Sequence, residues 1–207
     1  MIYPEKNTLI RWFFSKYIPW IISRNFHAVN FNKIEIDQNS AVLLIANHFS
    51  WWDAFLLYYV FDKLTGKKFH VMVVKETMRK HGFFKYIGAF SVNKNSREVM
   101  ESLDYAARLL NDPQNLVLLF PQGKLYSNFI DRVQFEKGTL KIMEQAGHKF
   151  QLIYAAAFIE HLQYKKPTVN VYLNSITNCT FESIAALTDS YQQHYDSARQ
   201  LQTKIVL

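Results

Sequence analysis

Two polar side chains follow a fully apolar run. In "AVLLIANHFSWWDAF" (41–55), His48 and Asp53 stand five positions apart, just past a stretch that reads as a buried strand. A histidine beside a carboxylate is half of a general-base apparatus. The carboxylate fixes the tautomer and stabilises the imidazolium, while the far ring nitrogen takes a proton from a hydroxyl, typically worth about 10²- to 10⁴-fold. Inside one ideal helix the spacing would turn the pair about 140° apart. Contact therefore requires His48 in the turn after the strand, Ser50 as the helix cap and Asp53 in the first helical turn, reaching back. The same residues fit a second reading, in which Ser50-x-x-Asp53 is a capping box and the histidine is structural.

A second segment, "LLFPQGK" (118–124), ends an apolar strand in a sharp turn, at the strand end where open α/β sheets bind ligands. Gln122 offers amide hydrogen bonds, Gly123 allows close backbone approach and Lys124 brings a charge. A third, "IGAFSVNK" (87–94), places Lys94 after a short apolar stretch. The sequence has no Gly-x-Ser-x-Gly elbow, reactive-cysteine signature, phosphate loop or Gly-x-Gly-x-x-Gly fingerprint. If His48 acts, it activates the substrate's own nucleophile.

The elements that must position these residues alternate along the chain. Strands are expected at 41–46, 69–74, 90–92, 115–120, 150–158 and 168–173. Helices are expected from Ser50 to about Phe61, from Ser96 to Leu110 with Asn95 as cap, near Gly138 to Ala146, and from Phe181 to about Gln202; 75–88 reads as broken helix. Apolar strands alternating with helices imply one α/β domain over 1–207, a mixed, mostly parallel sheet flanked by helices. The catalytic core spans 41–175 and a helical segment spans 180–207.

The composition of 49% hydrophobic and 20% charged residues excludes a disordered chain. A net charge of +7 favours anionic partners, and nine Lys/Arg against three acids between Asp62 and Glu98 offer an anion-receiving rim or a solvated face. Cys179 stands alone, which fits a reducing compartment, and no metal-ligand cluster at zinc spacing occurs. Residues 1–26 lack a signal-peptide pattern or a run of about 20 apolar residues. They mix Leu9, Trp12, Phe13, Trp20 and other apolar residues with Arg11, Lys16 and Arg24. That composition suits helices in a membrane interface facing anionic lipid, or a helix docked on the domain's own core. Pro19 in the first turn of a second helix predicts a bent pair.

Taken in order, the three segments resemble the glycerolipid acyltransferase family, which includes bacterial lysophosphatidic acid acyltransferases. Its Asn-His-x-x-x-x-Asp motif is matched by Asn47, His48 and Asp53. "GAFSVNK" is similar to its Gly-x-x-Phe-Ile-x-Arg, with Lys94 for arginine. "FPQGKL" is similar to its Phe-Pro-Glu-Gly-Thr-Arg: Phe120, Pro121 and Gly123 match, while Gln122, Lys124 and Leu125 depart. "FEKG" (135–138) is similar to a downstream Phe-x-Lys-Gly, and "LIYAAAF" stands where the family's fourth motif usually has a proline. The resemblance implies transfer of a fatty acyl group from a thioester of coenzyme A or acyl carrier protein to a hydroxyl, with His48 as general base and Asp53 orienting it. Asn47, Ser50, Lys94, Phe120, Pro121, Gln122, Gly123 and Lys124 would contact substrate, and backbone N–H groups would receive the oxyanion. No cofactor or metal is required. Trp51, Trp52, Phe55 and Tyr58 are candidates for lining the acyl groove, or for plain core packing. In the family the motif arginines are taken to hold the acceptor's phosphate. Lys94 and Leu125 stand in those places, so the expected acceptor is a lysolipid with another headgroup, an acylated amino acid, or a glycosylated lipid or pigment. The implied location is the cytoplasmic face of a membrane, monotopic or peripheral. Competing readings are an inactive membrane scaffold and a nucleic-acid binder; no nucleic-acid module pattern is visible, so nucleic acid is not an expected partner.

Overall fold

The computed structural model describes residues 1–93, 98–177 and 179–206. Helix α1 (Thr8–Asn25) leads into β1 (Ala28–Phe31) and β2 (Ala41–Ala46). Then come α2 (Asp53–Leu64), β3 (Lys68–Val74), α3 (Lys75–Lys80), a 3-10 helix (Gly82–Ile87) and β4 (Ala89–Val92). The chain continues through α4 (Glu98–Leu109), β5 (Asn115–Leu119), α5 (Gly138–Gln145), β6 (Phe150–Glu160), β7 (Thr168–Ile176) and α6 (Ile184–Gln202). The seven strands form one sheet in the order β1-β7-β6-β2-β5-β3-β4. All neighbours run parallel except β6 and β7. A mixed, mostly parallel α/β sheet is the architecture expected from the sequence.

The central strands are apolar at every position because both faces are covered. Along β2 the side chains alternate between two cores. Val42, Leu44 and Ala46 meet Ile18 and Ile22 of α1 and Leu56 and Val60 of α2. Ala41, Leu43 and Ile45 meet Leu103 of α4, Ile142 of α5 and Tyr191 of α6.

Three expectations are corrected. Residues 8–25 form one continuous helix with Pro19 inside it, rather than a bent pair. A proline there costs the helix a hydrogen bond, normally about 3 kcal/mol. Anchors on both sides of it hold the helix to one surface: Phe14 stacks on Phe83 at 5.4 Å, and Ile18 and Ile22 are buried. Helix α2 begins at Asp53, three residues later than expected, because 50–53 form a turn closed by Asp53 N–H donating to Ser50 O at 3.2 Å. Strand β1 was not anticipated: "AVNF" is a four-residue edge strand, only partly buried, and carries no long apolar run. The expected cap Asn95 and start Ser96 of α4 lie outside the described residues.

Candidate active site

Strands β2 and β5 are parallel neighbours, with Ile45 opposite Leu119. Carrying that register three residues further sets His48 beside Gln122, which brings segments 41–55 and 118–124 to the same end of the sheet. The Gln122 side-chain oxygen accepts the His48 main-chain N–H at 2.7 Å, and the Tyr126 N–H donates to His48 O at 3.0 Å. Below them Asn47 fixes the end of β2. Its amide donates to Ala157 O at 2.9 Å and accepts from Ala157 N–H at 2.8 Å, tying β2 to β6.

His48 Nδ1 lies 2.8 Å from Asp53 Oδ2. The same oxygen accepts the N–H of Phe49 at 2.8 Å and of Ser50 at 2.9 Å. Three donors converge on one carboxylate oxygen, so Nδ1 carries the proton and Nε2 carries the lone pair. The carboxylate that meets the histidine also receives the Ser50 N–H, which is half of a capping box. The other half is absent, because Ser50 Oγ accepts the Trp52 N–H and α2 starts at Asp53 without a side-chain cap, so the expected Ser50 cap is corrected. Burial raises the Asp53 pKa above the usual carboxylate value; hydrogen bonds from His48, Ser50 and Phe49 pull it back. Its other oxygen is buried without a hydrogen bond among the described residues. The Phe120 ring stacks on the imidazole at 4.1 Å and 16°, covering one of its faces.

His48 faces a cavity of about 660 Å³ at the carboxyl ends of β2, β3 and β5. Its walls are apolar, formed among others by Val71, Phe84, Leu103, Leu119 and Ile142. Exposed residues at its mouth include Trp51, Lys124, Leu125, Glu136 and Lys137. A carboxylate-oriented base at the mouth of an apolar cavity suits a reaction joining a polar hydroxyl to a long hydrocarbon.

The residues expected to touch substrate divide into two groups. Phe120, Pro121, Gly123 and Lys124 line the cavity. Asn47, Ser50 and Gln122 spend their side chains internally: Asn47 on Ala157, Ser50 Oγ on the Trp52 N–H at 3.1 Å, and Gln122 on His48. They position the site rather than line it. Lys94 lies outside the described residues. Of the four aromatic candidates only Trp51 lines this cavity. Trp52 packs edge-on against Phe26 at 5.4 Å, Phe55 is buried beside Phe84, and Tyr58 faces a different cavity. The sequence reading did not assign Glu136, Lys137 and Thr139 to the site. "FEKG" signalled this segment, and Glu136 N–H donating to Pro121 O at 2.8 Å is what docks it.

The comparison with protein families gives the class. A model of the acyltransferase family matches residues 28–158, from β1 through most of β6, and the chain belongs to that family. No curated protein sequence matches it.

Proposed function

We propose that this acyltransferase moves a fatty acyl group from a thioester, on coenzyme A or acyl carrier protein, to the hydroxyl of a lysolipid-type acceptor. The observation that carries the reading is the 2.8 Å His48–Asp53 contact at the mouth of the apolar cavity. His48 Nε2 takes the hydroxyl proton as the oxygen attacks the thioester carbonyl, and Asp53 stabilises the imidazolium. When the tetrahedral intermediate collapses the C–S bond breaks, and the imidazolium returns its proton to the leaving thiolate. Of the N–H groups in the turn, Gly123 is spent on Phe120 O and Tyr126 on His48 O. Those of Gln122, Lys124 and Leu125 make no hydrogen bond among the described residues and are the candidates to receive the oxyanion. The cavity takes the acyl chain, each buried methylene contributing about 0.8 kcal/mol.

The acceptor differs from plain lysophosphatidate. Leu125, exposed at the cavity mouth, stands where the family pattern has an arginine, and the Lys124 ammonium lies over the Tyr126 ring at 5.3 Å. A lysolipid with another headgroup, an acylated amino acid, or a glycosylated lipid or pigment fits such a mouth. Lysophosphatidate acylated faster than every other acceptor in a side-by-side assay would reject this part of the proposal.

A place at a membrane surface, which the family resemblance puts on the cytoplasmic face, is supported by α1 as far as the surface goes. Leu9, Trp12, Phe13 and Trp20 are exposed, and at 100° per residue they fall with Lys16 in an arc of about 100°, opposite the buried Ile18. No helix among the described residues is long and apolar enough to cross a membrane, so the proposed attachment is interfacial. The test of the activity is mass spectrometry of lipids from cells expressing the protein or its His48→Ala form. An acylated product present only with the former is expected. Identical lipid profiles would refute the assignment.

A further inference from the structure

The opposite end of the sheet holds a second cavity of about 570 Å³, at the amino ends of β3 and β5. It shares no lining residue with the cavity at His48. Its wall mixes apolar residues such as Phe61, Phe69 and Leu116 with polar ones: Arg11 comes from α1, Tyr58 and Asp62 from α2, Lys68 and His70 from β3, and Asn115 from β5.

Several of its charges are already satisfied. Glu5 pairs with Lys85 at 2.9 Å, Lys67 donates to Pro113 O at 2.7 Å, and Asp112 accepts the Gln114 N–H at 3.0 Å. The side chains of Lys6, Arg11 and Lys68, the Asp62 carboxylate and the Tyr58 hydroxyl enter no hydrogen bond or ion pair among the described residues. Arg11 sits on α1 about 150° from the middle of the exposed aromatic stripe, on the side of Ile18 and Ile22. It therefore points over this cavity instead of joining Lys16 on the outer face. His70 adds no charge of its own. Burial, reinforced by Arg11 and Lys68, lowers its pKa, and its Nε2 is 3.3 Å from Asn115 Oδ1.

We propose that this cavity binds a phosphate ester carrying free hydroxyl groups, with the phosphate between Arg11 and Lys68 and the hydroxyls at Asp62 and Tyr58. A guanidinium matches two phosphate oxygens at once, and an ammonium adds a point charge. The Asp62 carboxylate repels a bare phosphate but accepts hydroxyl donors, which selects a polyol ester over the inorganic ion. The same chemistry has two sources: a soluble glycerol phosphate, or the headgroup of a phosphatidylglycerol in a bilayer lying against α1.

The test uses the purified full chain in two arms. Calorimetry compares glycerol 3-phosphate with inorganic phosphate. Vesicle sedimentation compares phosphatidylglycerol with phosphatidylmethanol, which has the same charge but no hydroxyls and so controls for attraction to the +7 protein. Preference for the hydroxyl-bearing partner by at least about tenfold is expected in one arm, and the arm that responds names the source. In that arm Lys68→Gln, alone or with Arg11→Gln, weakens binding about tenfold, and Asp62→Asn removes the preference. If the double substitution fails to fold, Lys68→Gln and Asp62→Asn alone decide. No preference in either arm, or a preference that survives these substitutions, overturns the proposal.

Discussion

At one end of the sheet an imidazole meets a carboxylate; at the other, an imidazole meets an amide. His48 follows β2 at its carboxyl end and is held by Asp53, whose oxygen is fixed in turn by two backbone N–H groups. His70 lies near the amino end of β3, with its Nε2 3.3 Å from Asn115 Oδ1 and no carboxylate paired to it among the described residues. Both rings are partly buried beside a cavity. What separates a candidate base from a neutral wall residue is therefore the partner and what fixes it, not burial. The cavities differ too: the one at His48 is walled mainly by apolar residues, where a fatty chain would lie, and the other mixes apolar residues with charged ones, where an anion would.

The largest effect expected is from erasing that difference. Asp53→Asn gives His48 an amide partner like that of His70, and it turns an N–H₂ toward donors that now have a carboxylate. A fall in kcat of about 10²- to 10⁴-fold is expected with the far-ultraviolet circular dichroism unchanged. A loss smaller than about threefold would mean that the carboxylate is there only to hold the Phe49 and Ser50 N–H groups of the turn before α2.

A third imidazole sharpens the comparison through pH. His194 on α6 donates Nε2–H to Tyr172 O at 3.0 Å and pairs with no carboxylate among the described residues; burial pushes its pKa down to about 4. The unfolded chain binds a proton there near pH 6.5 and the folded chain does not, so stability is full above pH 6.5 and falls as pH drops to about 4. The cost at His194 is about 3 kcal/mol by the lower end of that window. Urea unfolding at pH 7 and pH 4 should give a pH dependence smaller by about that amount in His194→Gln; equal dependences would contradict the assignment.

Asn47→Ala strips two buried main-chain groups of Ala157 of their partners, with an expected loss of about 2 kcal/mol in urea unfolding at pH 7. An unchanged midpoint would return Asn47 to the substrate-contact role that the motif implied. The smallest effect concerns the apolar wall. A Cβ at Gly138 would come 3.1 Å from Leu103 Cδ2, and both residues line the cavity. Gly138→Ala should press Leu103 inward, lowering kcat/KM for the longest acyl chains a few-fold while sparing short ones. A uniform effect across chain lengths would place the chain elsewhere.

Much of the frame was legible in the sequence because central parallel strands bury both faces: "AVLLIA" and "NLVLL" have no other plausible place. The order of the motifs and the backward reach of Asp53 were legible too. What escaped depends on contacts distant in sequence. The hydrogen bond from His48 to Gln122 spans 74 residues and follows from the β2–β5 register, which no local pattern encodes. The continuity of α1 through Pro19 follows from Phe14, Ile18 and Ile22 meeting the domain, and local propensity alone argues the other way. Trp52, Phe55 and Tyr58 stay open between groove and core in the sequence, because composition does not say which side of this segment faces the core. The sequence also set Arg11 among the lipid-facing cations, whereas the helix turns it away from the aromatic stripe and toward the second cavity.

The central claim is that His48, poised by Asp53, removes the proton of an acceptor hydroxyl that then attacks a thioester. Its most direct test is thiol release from a fatty acyl thioester by the purified protein, with and without a lipid extract as the source of acceptor, for the unaltered chain and for His48→Ala. The account predicts acceptor-dependent release that falls at least about 10²-fold on substitution while the protein stays folded. Release that persists in His48→Ala, or that proceeds equally without acceptor, would contradict it.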